Sequence, residues 1–214
     1  MRVHRLVVNA LTFARVPLIF AWLGLAIAQE RTITADCPGS FWLAFWACLM
    51  MLLSGLTDAW DGQLPRKWGV VSTLGKMADP LMDKVFYIVA FPALVRQIMR
   101  QGESDAHALT MLFFTVLYML RDTWVTFMRS VGTMYGADVA AMWLGKVRTA
   151  LSFPGAGWVY MYCCFHRMCP TSWSGPWLVS CYAVEGLLIL LTLWSMFTYT
   201  SAYLPYLKMA LERK

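Results

Sequence analysis

Six long apolar stretches, separated by short polar segments, dominate this sequence. They cover roughly residues 7–29, 41–62, 76–99, 107–131, 139–165 and 176–203. Each approaches the length of about 20 apolar residues that a helix needs to cross a membrane. Hydrophobic residues make up 59% of the chain and charged residues only 14%, which is more apolar than a soluble domain requires. The pattern predicts an all-α membrane protein with six transmembrane helices, forming a single domain over residues 1–214.

Basic residues near the ends of these stretches predict the orientation of the chain. The formal net charge is +6. If all six stretches cross the membrane, one face carries Arg2, Arg5, Arg66, Lys67, Lys208, Arg213 and Lys214. Cytoplasmic segments are enriched in Lys and Arg, so we expect that face to be cytoplasmic. Arg96, Arg100 and Arg167 lie towards the other face. No nucleic-acid motif accompanies the charge, so membrane lipid and not nucleic acid is the expected partner.

Four aspartates flank the boundary between the second and third stretches. Asp58 and Asp61 are three residues apart and Asp79 and Asp83 are four apart, so each pair shares one face of a helix. Unpaired carboxylates are costly at the edge of an apolar medium unless they find a cation. Carboxylate oxygens are ligands for hard divalent ions such as Mg²⁺ or Mn²⁺. We therefore expect a metal site, with two ions as the favoured number, rather than a solvated acidic loop.

The residues between the two aspartate pairs suggest the ligand of this metal site. Gly62 and Gly75 allow the backbone to approach a ligand closely. The guanidinium group of Arg66 has the forked geometry that binds phosphate oxygens. A metal-bound diphosphate is the ligand that this arrangement predicts.

This stretch resembles the signature of the CDP-alcohol phosphatidyltransferase family, D-x2-D-G-x2-A-R-x8-G-x3-D-x3-D. The fixed positions correspond here to Asp58, Asp61, Gly62, Pro65, Arg66, Gly75, Asp79 and Asp83. Pro65 departs from the pattern, because the family has alanine there. Proline lacks an N–H group and bends helices, so we expect a changed approach of Arg66 to the diphosphate.

The resemblance implies six membrane helices, a homodimer and a polar cavity open to the cytoplasm. It places the enzyme in the inner (cytoplasmic) membrane, as a multi-pass protein. It also implies that the four aspartates hold metal against the diphosphate of a nucleotide-activated lipid, with Asp61, Gly62, Arg66 and Gly75 at the diphosphate. The residue matching Asp83 is expected to be the general base that deprotonates the acceptor alcohol, which attacks the lipid-bearing phosphate and expels CMP.

Further segments resemble the phosphatidylglycerophosphate synthases of this family. "VNALTFARVPL" is similar to their N-x-L-T-x-x-R segment, and "GKMADPLMDKV" to their form of the signature. "LRDTWVTFMRSVG" and "LGKVRTA" are similar to two later segments, with Asp122 and Arg148 where Glu and Lys are common. In the first segment, Asn9, Thr12 and Arg15 either bind the nucleotide or anchor the first helix. The resemblance implies CDP-diacylglycerol and glycerol 3-phosphate as substrates, and phosphatidylglycerol phosphate and CMP as products.

The later basic residues have a reading that does not depend on the resemblance. Arg121, Arg129, Lys146 and Arg148 lie in or beside apolar stretches, where an unneutralised cation is expensive. A small alcohol that carries its own phosphate would supply the missing anion. Alternatively, Arg121 pairs with Asp122 or another carboxylate, while Lys146 and Arg148 extend to lipid phosphates.

Two other functions are consistent with parts of the sequence. One is a sister enzyme of the same family that uses inositol phosphate, serine, a phospholipid, or CDP-choline and diacylglycerol. The other is a divalent-cation transporter, since intramembrane aspartates also serve ion paths; Arg66 argues against it because it would repel the ion. Two smaller expectations concern Cys37 and Cys169, which are candidates for a disulfide in polar loops on the non-cytoplasmic side, and His107, which is expected to be isolated at an interface.

Overall fold

The computed structural model describes residues 2–34, 37, 39–69, 73–101, 105–136 and 143–212. Within these ranges, side chains are described except at 2–9, 58–59, 61–68, 73–80, 144 and 171. The helices are α1 Arg2–Thr32, α2 Phe41–Trp68, α3 Thr73–Arg100, α4 Asp105–Met134, α5 Trp143–Phe165 and α6 Thr171–Glu212. The prediction of an all-helical chain is confirmed. Each predicted stretch falls within one helix, apart from 139–142, which lies outside the described residues.

Three of the described helices are long and apolar enough to cross a membrane by length and composition. These segments are Ala10–Thr32, Asp105–Met134 and Ser172–Glu212. α2 contributes a shorter apolar segment, Phe41–Thr57. The first half of α3 contains the aspartates and lysines of the signature, which lower its mean hydropathy. The helices suit a multi-pass membrane protein, and crossing by all six remains a prediction.

Glycines in the left-handed backbone region end two of the helices. Gly69 follows α2 with φ 63°, and Gly136 follows α4 with φ 73°. This conformation costs a glycine little and lets the last carbonyl groups of a helix find partners. The polar segment predicted between the stretches 41–62 and 76–99 is mostly helical, because α2 continues through Pro65 to Trp68 and α3 begins at Thr73. The aspartates therefore lie about two to three helical turns inside their helices.

Small residues allow the helices to pack closely. α1 packs against α2 and α3, α4 against α3 and α6, and α5 against α2, α3 and α6. Ala44 and Ala47 of α2 are fully buried. At Gly55 a Cβ atom would lie 2.2 Å from Cε1 of Phe153, so the phenyl ring packs directly against the glycine and would have to move for a larger residue. Close approach of this kind is how helices associate in membranes, where water does not drive them together.

The cysteines take no part in disulfides. All of them lie in the described part of the chain, and all are free thiols, including Cys37 and Cys169. Cys163, Cys164 and Cys181 are buried among apolar side chains, which fits the role of small packing residues.

A buried polar pair joins α4 to α6. Nε2 of His107 lies 2.9 Å from Oε1 of Glu185, and both side chains are almost completely buried. The expectation that His107 is isolated at an interface is therefore wrong, and the sequence left the role of Glu185 open. The histidine ring also packs against the ring of Tyr182, with centroids 5.1 Å apart. A polar pair in an apolar bundle favours one register between its helices.

We expect His107 and Glu185 to stabilise the fold jointly. His107→Ala and Glu185→Ala should each lower the free energy of unfolding in mixed micelles. The double variant should lose less than the sum, with a coupling free energy of about 1–2 kcal/mol. Thr123→Ala, at an exposed position on the same helix, is the control. Strictly additive losses would show that the two side chains do not interact.

Candidate functional site

The backbone places the two aspartate pairs on helices joined by a short connection. Asp58 and Asp61 lie on one face of α2, and Asp79 and Asp83 lie on one face of α3. Residues 69–72 connect the two helices. The side chains of Asp58, Asp61 and Asp79 lie outside the described residues, as do those of Asn9 and Arg66 and the surroundings of Gly62 and Gly75. Convergence of the aspartates on metal therefore stays a prediction.

Described side chains do not by themselves form a metal centre. Among them, no group of three or more His, Cys, Asp or Glu residues is placed to hold a metal ion. Of the four aspartates, only Asp83 has a described side chain. The donor set expected from the signature consists of carboxylates, which suits Mg²⁺ or Mn²⁺ and does not suit a soft metal.

Asp83 is held by a buried arginine from the first helix. Nη1 of Arg15 donates a hydrogen bond of 2.7 Å to Oδ1 of Asp83. Arg15 is 3% exposed and Asp83 is 40% exposed, so the cation lies inside the bundle while the carboxylate faces outwards. Thr12, one turn before Arg15, is also buried. Of the two readings of Arg15, the anchoring one is consistent with this contact; the contact does not test nucleotide binding.

A basic cluster surrounds one carboxylate on the neighbouring helices. We define this cluster as Lys84, Arg121 and Arg148 around Asp122. Nζ of Lys84 lies 3.2 Å from Oδ2 of Asp122. Nη1 of Arg121 and Nη2 of Arg148 lie 3.7 and 3.8 Å from Oδ1. Among the described side chains, one carboxylate faces three cations, so the basic cluster has a net positive charge and attracts anions.

Arg148 is the most deeply buried member of the basic cluster. It is 2% exposed, and its guanidinium carbon lies 3.9 Å from the ring centroid of Tyr118. Its Nε and Nη1 atoms are buried without a hydrogen-bond partner among the described residues. Buried donors in native proteins are normally satisfied, so a bound anion or water is expected here. Its burial is inconsistent with the alternative in which Arg148 extends to lipid phosphates.

α6 supplies two polar side chains that position Arg121. Nε of Arg121 donates a hydrogen bond of 3.1 Å to Oγ of Ser195, and Nη2 donates to the same oxygen. The ring of Tyr199 lies 5.1 Å from the guanidinium carbon of Arg121 and 5.6 Å from that of Arg129. A Cβ atom on Gly145 would lie 3.2 Å from both Nη2 of Arg121 and the hydroxyl of Tyr199. The glycine of "LGKVRTA" therefore makes room for this contact.

The predicted basic residues do not all come together. Arg121, Arg129 and Arg148 converge between α4, α5 and α6, through Asp122 and Tyr199. Lys146 is exposed on α5, and no described side chain bonds to it. Arg121 does approach Asp122, as the alternative interpretation predicted. The distance of 3.7 Å is longer than the 3.1 Å hydrogen bond from Arg121 to Ser195.

Ser195 and Tyr199 were not predicted from the sequence. They lie inside an apolar stretch, where the local sequence does not indicate which residues their hydroxyl groups contact. Thr192, Ser195, Tyr199 and Tyr203 are all buried and share one face of α6 at helical spacing. The helical spacing of these polar and aromatic residues was the one pattern in the sequence that could have indicated their role.

Two consecutive residues link the aspartates to the basic cluster. Asp83 bonds to Arg15 on α1, and the next residue, Lys84, bonds to Asp122 on α4. One turn further along α3, the hydroxyl of Tyr87 donates a hydrogen bond of 3.2 Å to the carbonyl oxygen of Thr149 on α5. An acidic group and an anion-attracting group thus lie side by side, an arrangement suited to proton removal from a phosphate-bearing substrate.

Comparisons with known proteins show the family of this chain. The chain is 29% identical over 161 residues to a protein of Escherichia coli strain K12, covering 75% of this chain and 80% of the relative. The same values hold for a relative in Shigella sonnei strain Ss046. Both relatives are named CDP-diacylglycerol–glycerol-3-phosphate 3-phosphatidyltransferase. The model of the CDP-alcohol phosphatidyltransferase family matches residues 5–200. The chain therefore belongs to the CDP-alcohol phosphatidyltransferase family.

Proposed function

We propose that this enzyme transfers a phosphatidyl group from CDP-diacylglycerol to glycerol 3-phosphate, giving phosphatidylglycerol phosphate and CMP. Membership of the family supports the reaction class. The observation that carries the choice of acceptor is the net positive basic cluster directly beside Asp83. The names of the relatives support the same acceptor.

The proposed reaction is a displacement at phosphorus. The hydroxyl oxygen of glycerol 3-phosphate forms a bond to the lipid-bearing phosphorus, and the bond from that phosphorus to the CMP oxygen breaks. The hydroxyl proton passes to the carboxylate of Asp83, the proposed general base. The hydrogen bond from Arg15 fixes Oδ1 of Asp83 and so orients the carboxylate. Arg66 is proposed to bind the diphosphate, with Gly62 and Gly75 leaving space for it.

We propose that Asp58, Asp61, Asp79 and Asp83 hold two Mg²⁺ or Mn²⁺ ions. The four-carboxylate donor set fits such ions. When bound, the ions would neutralise charge on the diphosphate and on the leaving group. Asn9 and Thr12 precede Arg15 on α1 and are proposed to contact the nucleotide.

The acceptor phosphate is proposed to lie against Arg121, Arg129 and Arg148. Ser195 and Tyr199 keep Arg121 in place, and the two unsatisfied donors of Arg148 favour an added anion. Lys146 is proposed to contribute by long-range attraction, since it is exposed. A free serine would leave the cationic groups without a phosphate to bind, whereas inositol phosphate would supply one; between the two phosphorylated acceptors, the names of the relatives favour glycerol 3-phosphate.

The membrane arrangement is part of the same proposal. Six helices are proposed to cross the inner membrane of the cell, with a polar cavity and the aspartates facing the cytoplasm, in a homodimer. The basic residues near α2, α3 and both termini support this orientation.

The decisive experiment measures CMP release by the purified protein. CDP-diacylglycerol and Mn²⁺ or Mg²⁺ are supplied with glycerol 3-phosphate, inositol phosphate, serine or a phospholipid in turn, and CDP-choline with diacylglycerol is assayed separately. We expect release only with glycerol 3-phosphate, and none after chelation of the metal. Release with another acceptor would assign the protein to a sister enzyme. Metal uptake into proteoliposomes without CMP release would favour a transporter.

Removing the proposed base should abolish turnover. We expect Asp83→Asn to lower kcat by about 10²–10⁴-fold, since the amide cannot accept the proton. The measurement is CMP release at saturating substrates. Asp105→Asn, the same change at an exposed position at the start of α4, should leave kcat unchanged. Full activity of Asp83→Asn would exclude Asp83 as the base.

Removing a cation from the proposed acceptor site should weaken binding of the acceptor. We expect Arg129→Ala to raise KM for glycerol 3-phosphate by about 10–100-fold, the loss of a charge-assisted hydrogen bond. KM for CDP-diacylglycerol should change little. Lys208→Ala, an exposed cation near the end of α6, is the control for lost charge. An unchanged KM for glycerol 3-phosphate would remove Arg129 from the site.

A further inference from the structure

Arginines also collect at the end of the bundle far from Asp83. Arg96 and Arg100 lie in the last turns of α3, and Arg31 lies in the last turn of α1. At 1.5 Å per residue, Arg96 is about 20 Å along α3 from Asp83. On α1, Arg15 and Arg31 are separated by a similar length of helix. This group of arginines is therefore distinct from the proposed active site.

One glutamate is shared by two of these arginines. Nε and Nη2 of Arg96 each lie 3.1 Å from an oxygen of Glu30, in forked geometry. Nε of Arg100 lies 3.3 Å from Oε1 of the same carboxylate. Arg31 is exposed, and no described side chain pairs with it. Both oxygens of Glu30 are thus occupied, and among the described side chains of this group three cations accompany one carboxylate.

The arginines line a polar cavity. It has a volume of about 350 Å³ and is bounded by Glu30, Arg31, Ile33, Arg96, Arg100 and Gln101. A neighbouring apolar groove of about 330 Å³ runs between α1 and α3, along Leu23, Ile27, Val89, Pro92 and Ala93. Glu30 and Arg96 border both spaces, so the groove leads into the polar cavity.

We propose that the groove and the polar cavity together bind one anionic phospholipid. An acyl chain lies in the apolar groove and the phosphate meets Arg31, Arg96 and Arg100. Along this face an apolar groove is followed by a cationic cavity. In a phospholipid, the acyl chain is followed by the head group in the same order. Because the site lies at the opposite end of α1 and α3 from Arg15 and Asp83, the lipid comes from the leaflet opposite the active site.

Charge selects among phospholipids at this site. A zwitterionic head group brings an ammonium ion as well as a phosphate. Among the described residues of the group, the one carboxylate is that of Glu30, which is already bonded through both oxygens to Arg96 and Arg100. An ammonium ion would therefore face guanidinium groups without a partner, and an anionic head group would not.

Native mass spectrometry of the intact protein with defined lipids tests this proposal. Phosphatidylglycerol and phosphatidylethanolamine with identical acyl chains are the probes. We expect about tenfold greater retention of phosphatidylglycerol, and loss of this preference in the variant Arg31→Gln with Arg100→Gln. Arg31→Gln alone removes no bond to a described side chain, and it should partly reduce the preference for phosphatidylglycerol. Lys208→Gln, the same loss of charge near the end of α6, should retain it.

The same experiment separates the other occupants of the groove. Equal retention of the two lipids by the unchanged protein would overturn the proposal. Ala93→Leu fills the groove and should reduce lipid retention while leaving KM for CDP-diacylglycerol unchanged. A raised KM would instead assign the groove to the acyl chain of the substrate, and loss of a dimer mass would assign it to a second copy of the chain. Asp83→Asn should bind the lipid normally, so failure of the proposed reaction does not affect the result.

Discussion

The ion pair between Arg15 and Asp83 is the contact on which the candidate site depends. A buried guanidinium group without an anion would be costly in an apolar bundle. Asp83 provides that anion from α3 at 2.7 Å while remaining 40% exposed. The pair therefore fixes α1 against α3 and at the same time presents a carboxylate at the surface of the bundle. Stability and the position of the proposed base follow from the same bond.

Other charged and polar side chains in the bundle also have partners on neighbouring helices. Lys84 of α3 reaches Asp122 of α4, and Arg121 of α4 reaches Ser195 of α6. His107 of α4 meets Glu185 of α6 at the far end. Helices in a membrane are not driven together by exclusion of water, so such contacts and close packing define their arrangement. The polar side chains thus position one another across four helices.

Residue patterns predicted the helices better than the contacts between them. The number of helices and their approximate extent were accessible because apolar stretches of sufficient length carry a local signal. The connection over residues 62–75 was misjudged because Pro65 and the polar residues around it resemble a loop, although a proline costs a helix only one turn of bonding. The signature aspartates were recognisable from spacing alone, but their convergence depends on side chains that the structure does not describe.

The partners of Arg121 and His107 were inaccessible for a different reason. Ser195 and Glu185 lie more than seventy residues away along the chain, and no local pattern indicates which helices become neighbours. Only their spacing on one face of α6 distinguishes such residues from ordinary packing. Pairing across helices is a property of the tertiary fold. Sequence reasoning therefore identified the charged residues but not their partners on other helices.

The order of residues on α3 gives the site its chemical asymmetry. Asp83 and Lys84 are consecutive, and successive side chains on a helix point about 100° apart. One therefore turns towards Arg15 on α1 and the other towards Asp122 on α4. A proposed base and a cluster that attracts phosphate are separated by a single peptide unit, and any rotation of α3 would displace both. The site can match the distance between the hydroxyl and the phosphate of the proposed acceptor only while α3 keeps its register. The hydrogen bond from Tyr87 to the backbone of α5 also maintains that register.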